Sequence, residues 1–348
     1  MSSAYIDEDI KKSVWEGKIP VLFTLSQNDL TTHMAPSPIT LMVPRNSYFP
    51  LITGVVRDHF SYSTLVISEE LWLEYKGIPL KWHLPIGVLF DMLVADDSVG
   101  GGNNNSNNNN SSNNNNNSNS NSSSNDYHGS NSTPVIWNVT VHFQSYPEKV
   151  LLRCPNEESV QTYYKNVLKE ANYIKLGDIN KWNNLNINQS NELWDGLRLH
   201  DYEKFWSINK IFYPVSSNGY KHVPVRIIQN NKSPLQDLFP PFKDNGQEMT
   251  LESLFSKIPW TPASNNNNNN IEQSEQQQQQ STLLQSLKTN DNSSGTLRYL
   301  IQGIEPPLDT SLVWLGEYFS HPDNFLYIVI LNPSSSSSSS SSNNNNNK

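Results

Sequence analysis

Three lysines lie on one short stretch of the sequence, TYYKNVLKEANYIK, and a lysine amine can act as a nucleophile toward an activated carboxyl group. They are Lys165, Lys169 and Lys175. Counted at about 100° per residue from Val160, Lys169 falls roughly 180° away, so we expect it to point into solvent. No carboxylate stands three or four residues from Lys169, the spacing at which helical ion pairs form. An amine kept available for acylation and an ordinary solvated lysine both fit this position.

The same stretch is predicted to form a helix from Asn156 to Leu176 that buries one face. Its apolar residues fall within about 40° of one line, as they do on a helix packed on one side. Lys165 falls at roughly 140° on the same count and is also expected to be exposed. The apolar positions of this face are Val160, Tyr164, Val167, Ala171 and Ile174.

Cys154, in LLRCPNEE, is the only cysteine and the only other candidate nucleophile. Pro155 and Glu157 indicate that a helix begins just after Cys154, and a helix N-terminus can lower the pKa of a thiol. Glu157 and Glu158 oppose a thiolate, so we expect a partly buried structural cysteine, with a thiol enzyme as the alternative. A single cysteine excludes an internal disulfide and a cysteine-based zinc site.

No other pattern in the chain predicts catalysis, a cofactor or a metal. The eight histidines show no metal-binding spacing, and VGGGN lacks the Gly-Lys-Ser/Thr of a phosphate loop. The formal charge of -9 and the absence of a Lys/Arg cluster argue against a nucleic-acid groove and a polybasic membrane anchor. Without a leader or a long apolar run, the chain is expected to be cytoplasmic and to have protein partners.

Low-complexity tracts divide the 348-residue chain. Residues 103–125 are nearly all Asn and Ser, 265–280 are rich in Asn and Gln, and 334–347 are Ser and Asn, so they bury too little apolar surface to fold. The predicted division is an N-terminal segment 1–13, a first domain 14–150 with an insert at 98–133, a helix-rich domain 151–214, a second domain 215–332 with an insert at 262–295, and a tail 333–348.

Two distant stretches repeat one order of elements. LWLEYKGIPLKWHLPIGVLFDML with WNVTVHF, and RYLIQGIEPPLDTSLVWLGEYFS with NFLYIVI, both predict a strand, a Gly-Ile turn, a short helix and a last strand. Two strand candidates and a helix precede each copy, and Thr250 is the predicted N-cap of the second helix. This is the order of a ubiquitin-like domain. The alternating strand residues are Leu71, Leu73 and Tyr75 in one copy, and Leu297, Tyr299 and Ile301 in the other.

A helical region lies between the copies. NELWDGLRLHDYEKFWSINKIF has apolar residues at helical spacing, and we expect Trp194 and Trp206 to hold these helices against the sheets.

Several segments together resemble the autophagy protein five family: VWEGKIPVLFTL, PRNSYFPL, LEYKGIPLKWHLPIGVLFDML, LKEAN, LWDGL, FWSIN and GIEPPLDTSLVWL with HPDNFLYIVI. The resemblance runs from about Val14 to Leu331 and departs from the family chiefly in the Asn/Ser/Gln inserts. It implies an α+β fold in which two ubiquitin-like β-grasp domains flank a helix-rich domain. It also implies a noncatalytic scaffold of autophagosome formation.

The resemblance further implies partners and sites. Lys169 stands at the lysine of the family's Lys-Glu-Ala segment, which forms an isopeptide bond with the ubiquitin-like autophagy protein twelve through conjugation enzymes. Asp91 falls in the short helix predicted for the first repeat, and Arg45 follows the second strand. Both are implied to face a helix of the coiled-coil autophagy protein sixteen, with an ordinary surface charge pair as the alternative. Trp15 belongs either to that groove or to the core. The conjugate acts as an E3-like factor that promotes transfer of autophagy protein eight to phosphatidylethanolamine on the autophagic membrane, which it contacts peripherally.

Two alternatives from other classes remain. A thiol enzyme of ubiquitin-like transfer would use Cys154. A ubiquitin-like modifier would need a C-terminal glycine, whereas this chain ends in SSNNNNNK.

Overall fold

The structure is a computed structural model that describes residues 3–31, 34–64, 70–95, 135–229, 232–258 and 298–331. The predicted strand residue Leu297 and the three low-complexity tracts lie outside the described residues.

The first domain is a five-stranded mixed sheet that follows an N-terminal helix. The strand order is β2-β1-β5-β3-β4, with β1 parallel to β5 and antiparallel to β2. Alternate residues of β1 are buried, as the sequence pattern predicts for a strand covered on one face. The elements are α1 (Ser3–Glu16), β1 (Lys18–Leu25), β2 (Ile39–Pro44), α2 (Phe49–Phe60), β3 (Trp72–Tyr75), β4 (Ile78–Pro79), α3 (Ile86–Leu93) and β5 (Trp137–His142).

Four helices form the middle domain. The first begins at the N-cap Asn156, whose side chain accepts from the Ser159 N–H, and ends at Gly177 in the left-handed conformation with φ 83°. Trp194 is buried and Trp206 is half-buried, and both pack in the core of this domain, as predicted. The helices are α4 (Glu157–Leu176), α5 (Asn180–Asn183), α6 (Ile187–Arg198) and α7 (Tyr202–Asn209).

The second sheet repeats the first. Its order is β7-β6-β9-β8, again with the first and last strands parallel and adjacent. The side chain of Thr250 caps the N-terminus of the helix that follows it, as predicted. The elements are β6 (Val223–Gln229), β7 (Leu235–Phe239), α8 (Leu251–Lys257), β8 (Arg298–Leu300), α9 (Leu312–Tyr318) and β9 (Leu326–Leu331).

The turn after the third strand is the same in both copies. Lys76 and Gly77 have φ of 48° and 80°, and Gln302 and Gly303 have φ of 52° and 83°. Two successive residues with positive φ match the right-handed twist of a hairpin, and glycine adopts that conformation without steric cost. The common topology and the common turn confirm the predicted duplication and the α+β fold.

The two ubiquitin-like domains share a core. Phe325 and Val329 from the second domain belong to the same buried cluster as Ile86 and Leu89 of α3. The relative position of the two sheets is therefore set by apolar packing. None of the described helices combines the length and the apolar character needed to cross a membrane.

Candidate conjugation site

The helix α4 presents Lys169 on the side away from its core face. All five apolar positions predicted for that face are buried. Lys169 itself is only half exposed, because Trp182 of α5 lies beside it with the Lys169 Nζ 5.2 Å from the centroid of the ring. The prediction that Lys169 points freely into solvent is therefore wrong in degree, since a neighbouring helix covers part of its side chain.

Lys169 makes no ion pair with any carboxylate in the part of the chain that the structure describes. The adjacent Glu170 points to another face and ion-pairs with Arg226 on β6, with a 2.8 Å separation between Arg226 Nη2 and Glu170 Oε2. Gln236 on β7 donates to the other oxygen of Glu170 at 2.7 Å.

Lys165 lies one turn before Lys169 and is half-buried rather than exposed. Burial, reinforced by the positive charge of Lys169, lowers the pKa of Lys165 from its usual range. Two lysines of similar accessibility thus lie side by side on the outer surface of α4.

Lys175 is only 1% exposed, so it is not a competitor for acylation, contrary to expectation. Its Nζ lies 3.6 Å from the centroid of the Tyr213 ring and has no hydrogen-bond partner among the described residues. Burial lowers the pKa of Lys175 well below its usual range. The sequence count missed this burial because Tyr213, which covers the amine, follows 38 positions later by the numbering.

Cys154 is a poor nucleophile in this structure. It is half-buried, and burial together with the charge of Glu70 raises the pKa of its thiol to about 12. Its own backbone N–H donates to Glu70 Oε2 at 2.7 Å, which fixes that carboxylate beside the sulfur. The predicted direction of the pKa shift is confirmed, but Glu70 supplies the charge rather than Glu157 or Glu158.

Arg45 and Asp91 form an ion pair with 2.5 Å between Arg45 Nη2 and Asp91 Oδ2. The side chains are 13% and 4% exposed, so the interpretation as an ordinary surface pair is wrong. Burial raises the pKa of Asp91, while Arg45 and the backbone N–H of Gly303 act in the opposite direction. The pair therefore lies where the two ubiquitin-like domains meet.

Three glycines make room for the Arg45 side chain. A Cβ added at Gly17, Gly87 or Gly303 would come within 3.1 to 3.2 Å of Arg45 atoms. These distances are tighter than ordinary van der Waals contact, so the three backbones enclose the side chain. Because Gly17 follows α1 and Gly303 belongs to the second domain, the site of Arg45 is assembled from sequence-distant parts.

Trp15 lies in the core of the helix-rich domain. It is 4% exposed and stacks on His200 with 4.9 Å between ring centroids, and it also contacts Phe205 at 4.7 Å. Of the two predicted alternatives for this residue, the structure favours the core.

Trp182 is the residue of this site that sequence reasoning missed. The only signal for it is an isolated aromatic in the polar segment INKWNNLN. In the described ranges, no group of three or more His, Cys, Asp or Glu side chains is arranged to hold a metal ion.

The comparisons with known proteins agree with this architecture. Family models match three successive parts of the chain: "Autophagy protein ATG5, UblA domain" at residues 14–143, "alpha-helical bundle region" at 157–215 and "UblB domain" at 222–330. The crystal structure of Kluyveromyces marxianus Atg5 superposes with a TM-score of 0.64 at 19% identity, covering 92% of this chain and 99% of that one. That likeness concerns the fold alone.

Curated relatives extend the match to nearly the whole chain. Autophagy protein 5 of Dictyostelium discoideum is 56% identical over 94% of this chain and 96% of its own length. Autophagy protein 5 of Drosophila melanogaster is 26% identical over 93% of this chain and 97% of its own. The three matched domains and the 56% identity show that this chain belongs to the autophagy protein 5 family and has a role in autophagy.

Proposed function

We propose that this chain is the acceptor to which the ubiquitin-like autophagy protein twelve is joined through an isopeptide bond at Lys169. The observation that carries the proposal is the position of Lys169: it is accessible on the outer face of α4 and has no ion-pair partner among the described residues. Lys175 is buried, which leaves Lys165 as the nearest competitor.

In the proposed reaction, the amine of Lys169 carries out the aminolysis of a thioester. The neutral amine attacks the carbonyl carbon of the C-terminal thioester that a conjugating enzyme carries. The C–N bond forms and the C–S bond breaks, the enzyme cysteine leaves as a thiolate, and the proton from nitrogen passes to that thiolate or to solvent. The thioester supplies the activation, so the acceptor needs no catalytic group of its own, only an amine that can be reached.

The proposed conjugate acts as a noncatalytic scaffold. With the coiled-coil autophagy protein sixteen it promotes transfer of autophagy protein eight to phosphatidylethanolamine, in the cytoplasm and at the forming autophagosome membrane as a peripheral contact. Membership of the family supports this proposal. The raised pKa of the Cys154 thiol argues against the alternative of a thiol enzyme.

The coiled-coil partner is proposed to bind near Arg45 and Asp91. These residues lie beside Gly17, at the end of α1, and Gly303 of the second domain. This location supports a groove bounded by the N-terminal segment and the second repeat. Trp15, near the end of α1, is buried and attaches this helix to the core of the helix-rich domain.

Replacement of Lys169 by arginine tests the proposed acceptor. Arginine keeps the charge, the helix propensity and most of the apolar stem, but its guanidinium stays protonated and does not attack a thioester. We expect the slower-migrating, reductant-resistant adduct to disappear from a denaturing gel. Lys165→Arg is the matched control on the same helix and should conjugate. An adduct that persists in Lys169→Arg and is lost in Lys165→Arg would move the acceptor by one turn.

A further inference from the structure

Either of the two lysine amines on α4 could react with a thioester, so the reaction chemistry alone does not determine which one is modified. Lys165 and Lys169 are both half-buried and lie one turn apart on the helix. Since a lysine has four rotatable side-chain bonds, an attacking amine is mobile unless a neighbour restrains it. The aromatic contact described above is made by Lys169, whereas Lys165 makes none with the rings that the structure describes.

The Trp182 ring is itself held in place. Its plane stacks on Phe212 with 6.1 Å between centroids and 20° between planes, and Phe212 is fully buried. The preceding residue, Lys181, donates from Nζ to the Tyr213 carbonyl oxygen at 3.0 Å. The short helix α5 is therefore held against the segment after α7 by two adjacent side chains, and these contacts restrict the position of the ring.

The ring faces the reactive end of Lys169. With Nζ 5.2 Å from the ring centroid, the separation is within the range of a cation–π contact. The ammonium must lose its proton before it attacks, so the electrostatic part of this contact belongs to the resting state. The flat apolar face still limits the positions of the side chain after the proton is lost, because lysine stems pack on apolar surfaces.

We propose that Trp182 is a positioning residue that selects Lys169 over Lys165 as the conjugation acceptor, an inference that rests on the proposed function. The ring restricts where the Lys169 amine can lie, so the thioester carbonyl meets a nitrogen in a narrow range of positions. Lys165 lacks this restraint and reacts more slowly with a donor that is docked for its neighbour. Trp182 therefore affects the site and rate of transfer and not the intrinsic reactivity of the amine.

The test compares Trp182→Ala with Trp182→Phe in the full-length chain. The donor is a ubiquitin-like protein held as the thioester of its conjugating enzyme, at limiting concentration, and the modified lysine is identified by peptide mass spectrometry. Without the ring the Lys169 side chain must be ordered at the moment of attack, so we expect Trp182→Ala to conjugate about fivefold more slowly and to carry part of the adduct on Lys165. Trp182→Phe keeps a flat ring and should stay within about twofold of the parent chain.

A second readout separates positioning from damage to the fold. A small acetylating reagent needs no docking and should label Lys169 in Trp182→Ala at least as readily as in the parent chain, because the ring that covers part of the side chain is gone. If Trp182→Ala does not fold, Trp182→Leu replaces it, because leucine fills space against Phe212 without offering a ring face; the same slowing and redistribution are expected.

Two results would overturn the inference. One is transfer at the parental rate and only to Lys169 in the alanine or leucine variant. The other is an equal loss of acetylation and conjugation at Lys169, which would mean that the residue affects reactivity or folding. Failure of the proposed function is distinct, because it appears as an adduct that persists in Lys169→Arg.

Discussion

Arg226 on the second sheet ion-pairs with Glu170, the residue that directly follows Lys169, with 2.8 Å between Arg226 Nη2 and Glu170 Oε2. Gln236 on the neighbouring strand donates to the second oxygen of the same carboxylate. One side of α4 is thus attached to the second ubiquitin-like domain through Glu170, and the preceding residue carries the proposed acceptor amine. This arrangement fixes the helix that presents Lys169.

Arg226 also connects this surface pair with a buried carboxylate. Its Nη1 donates to the Tyr327 hydroxyl at 3.2 Å, and that hydroxyl donates to Asp323 Oδ2 at 2.8 Å. The guanidinium lies 3.7 Å from the centroid of the Phe325 ring. Asp323 is fully buried, and burial raises its pKa, while the positive charge of Arg226 acts in the opposite direction.

In Arg226→Met, methionine keeps an apolar stem on the Phe325 ring. It removes the donor to the Tyr327 hydroxyl and the cation that favours ionised Asp323, and losing a hydrogen bond from a charged group costs about 1.5 to 3 kcal/mol. Glu170 is about half exposed, so losing its charge in Glu170→Gln costs about 1 kcal/mol or less. Urea unfolding of the two variants measures the difference. Equal losses would mean that the surface pair, and not the buried carboxylate, accounts for the contribution of Arg226.

Local sequence patterns predicted most of the elements in this region. The apolar face of α4, the cap at Thr250 and the repeated turn at Gly77 and Gly303 depend on neighbours within a few residues, and all three are present. The contacts of Lys169 depend on Trp182, which reaches it only because α5 folds back beside α4. Periodicity carries no information on such a return, so the half-burial of Lys169 was not predictable.

Arg45 and Asp91 show the same limit over a longer distance. The sequence placed Asp91 correctly in the short helix of the first repeat. Their burial depends on backbone from Gly17, Gly87 and Gly303, which only the packed domains bring together. Arg45 and Asp91 would have the same positions in the sequence whether they formed a surface pair or a pair enclosed between domains. The sequence alone therefore does not distinguish the two.

Exchanging the charges in Arg45→Asp with Asp91→Arg should weaken the complex with the coiled-coil partner. The groove proposed beside these residues would then present the opposite charge pattern, and like charges brought together across an interface cost several kcal/mol. The covalent conjugate at Lys169 should still form, because α4 lies in another domain. A pull-down with the coiled-coil protein measures the first effect and a denaturing gel the second.

The free energy of unfolding of the same double variant measures how much the enclosed Arg45–Asp91 pair contributes to stability. A Cβ added at any of the three glycines would lie 3.1 to 3.2 Å from Arg45, so the side chain is closely enclosed; an aspartate does not fill that space, and we expect a loss of about 2 to 4 kcal/mol in the free energy of unfolding. Full retention of partner binding by a folded double variant would remove both residues from the proposed groove.

Lys175 gives the protein an unusual dependence on pH. It is fully buried beside Tyr213, and burial, with the charges of Lys181 and Lys11, lowers its pKa, while Glu317 acts in the opposite direction. The unfolded chain keeps the ordinary pKa of 10.5 and so binds a proton that the folded chain has lost. Between the two pKa values the free energy of unfolding therefore rises with pH.

Lys175→Met should raise the stability near pH 7 and flatten this dependence. Methionine fills a similar volume and packs against the Tyr213 ring without requiring a proton to be lost on folding. Replacing a buried ionisable group by an apolar side chain of similar volume is neutral or stabilising by about 1 to 4 kcal/mol. Urea unfolding at pH 7, 8 and 9 should show the advantage of the variant decreasing toward pH 10.5, where Lys175 of the unfolded parent chain also loses its proton. Tyrosines titrate in both proteins and cancel in the comparison. Parallel stability curves for the two proteins would contradict a neutral, buried Lys175, as would a variant less stable than the parent at every pH.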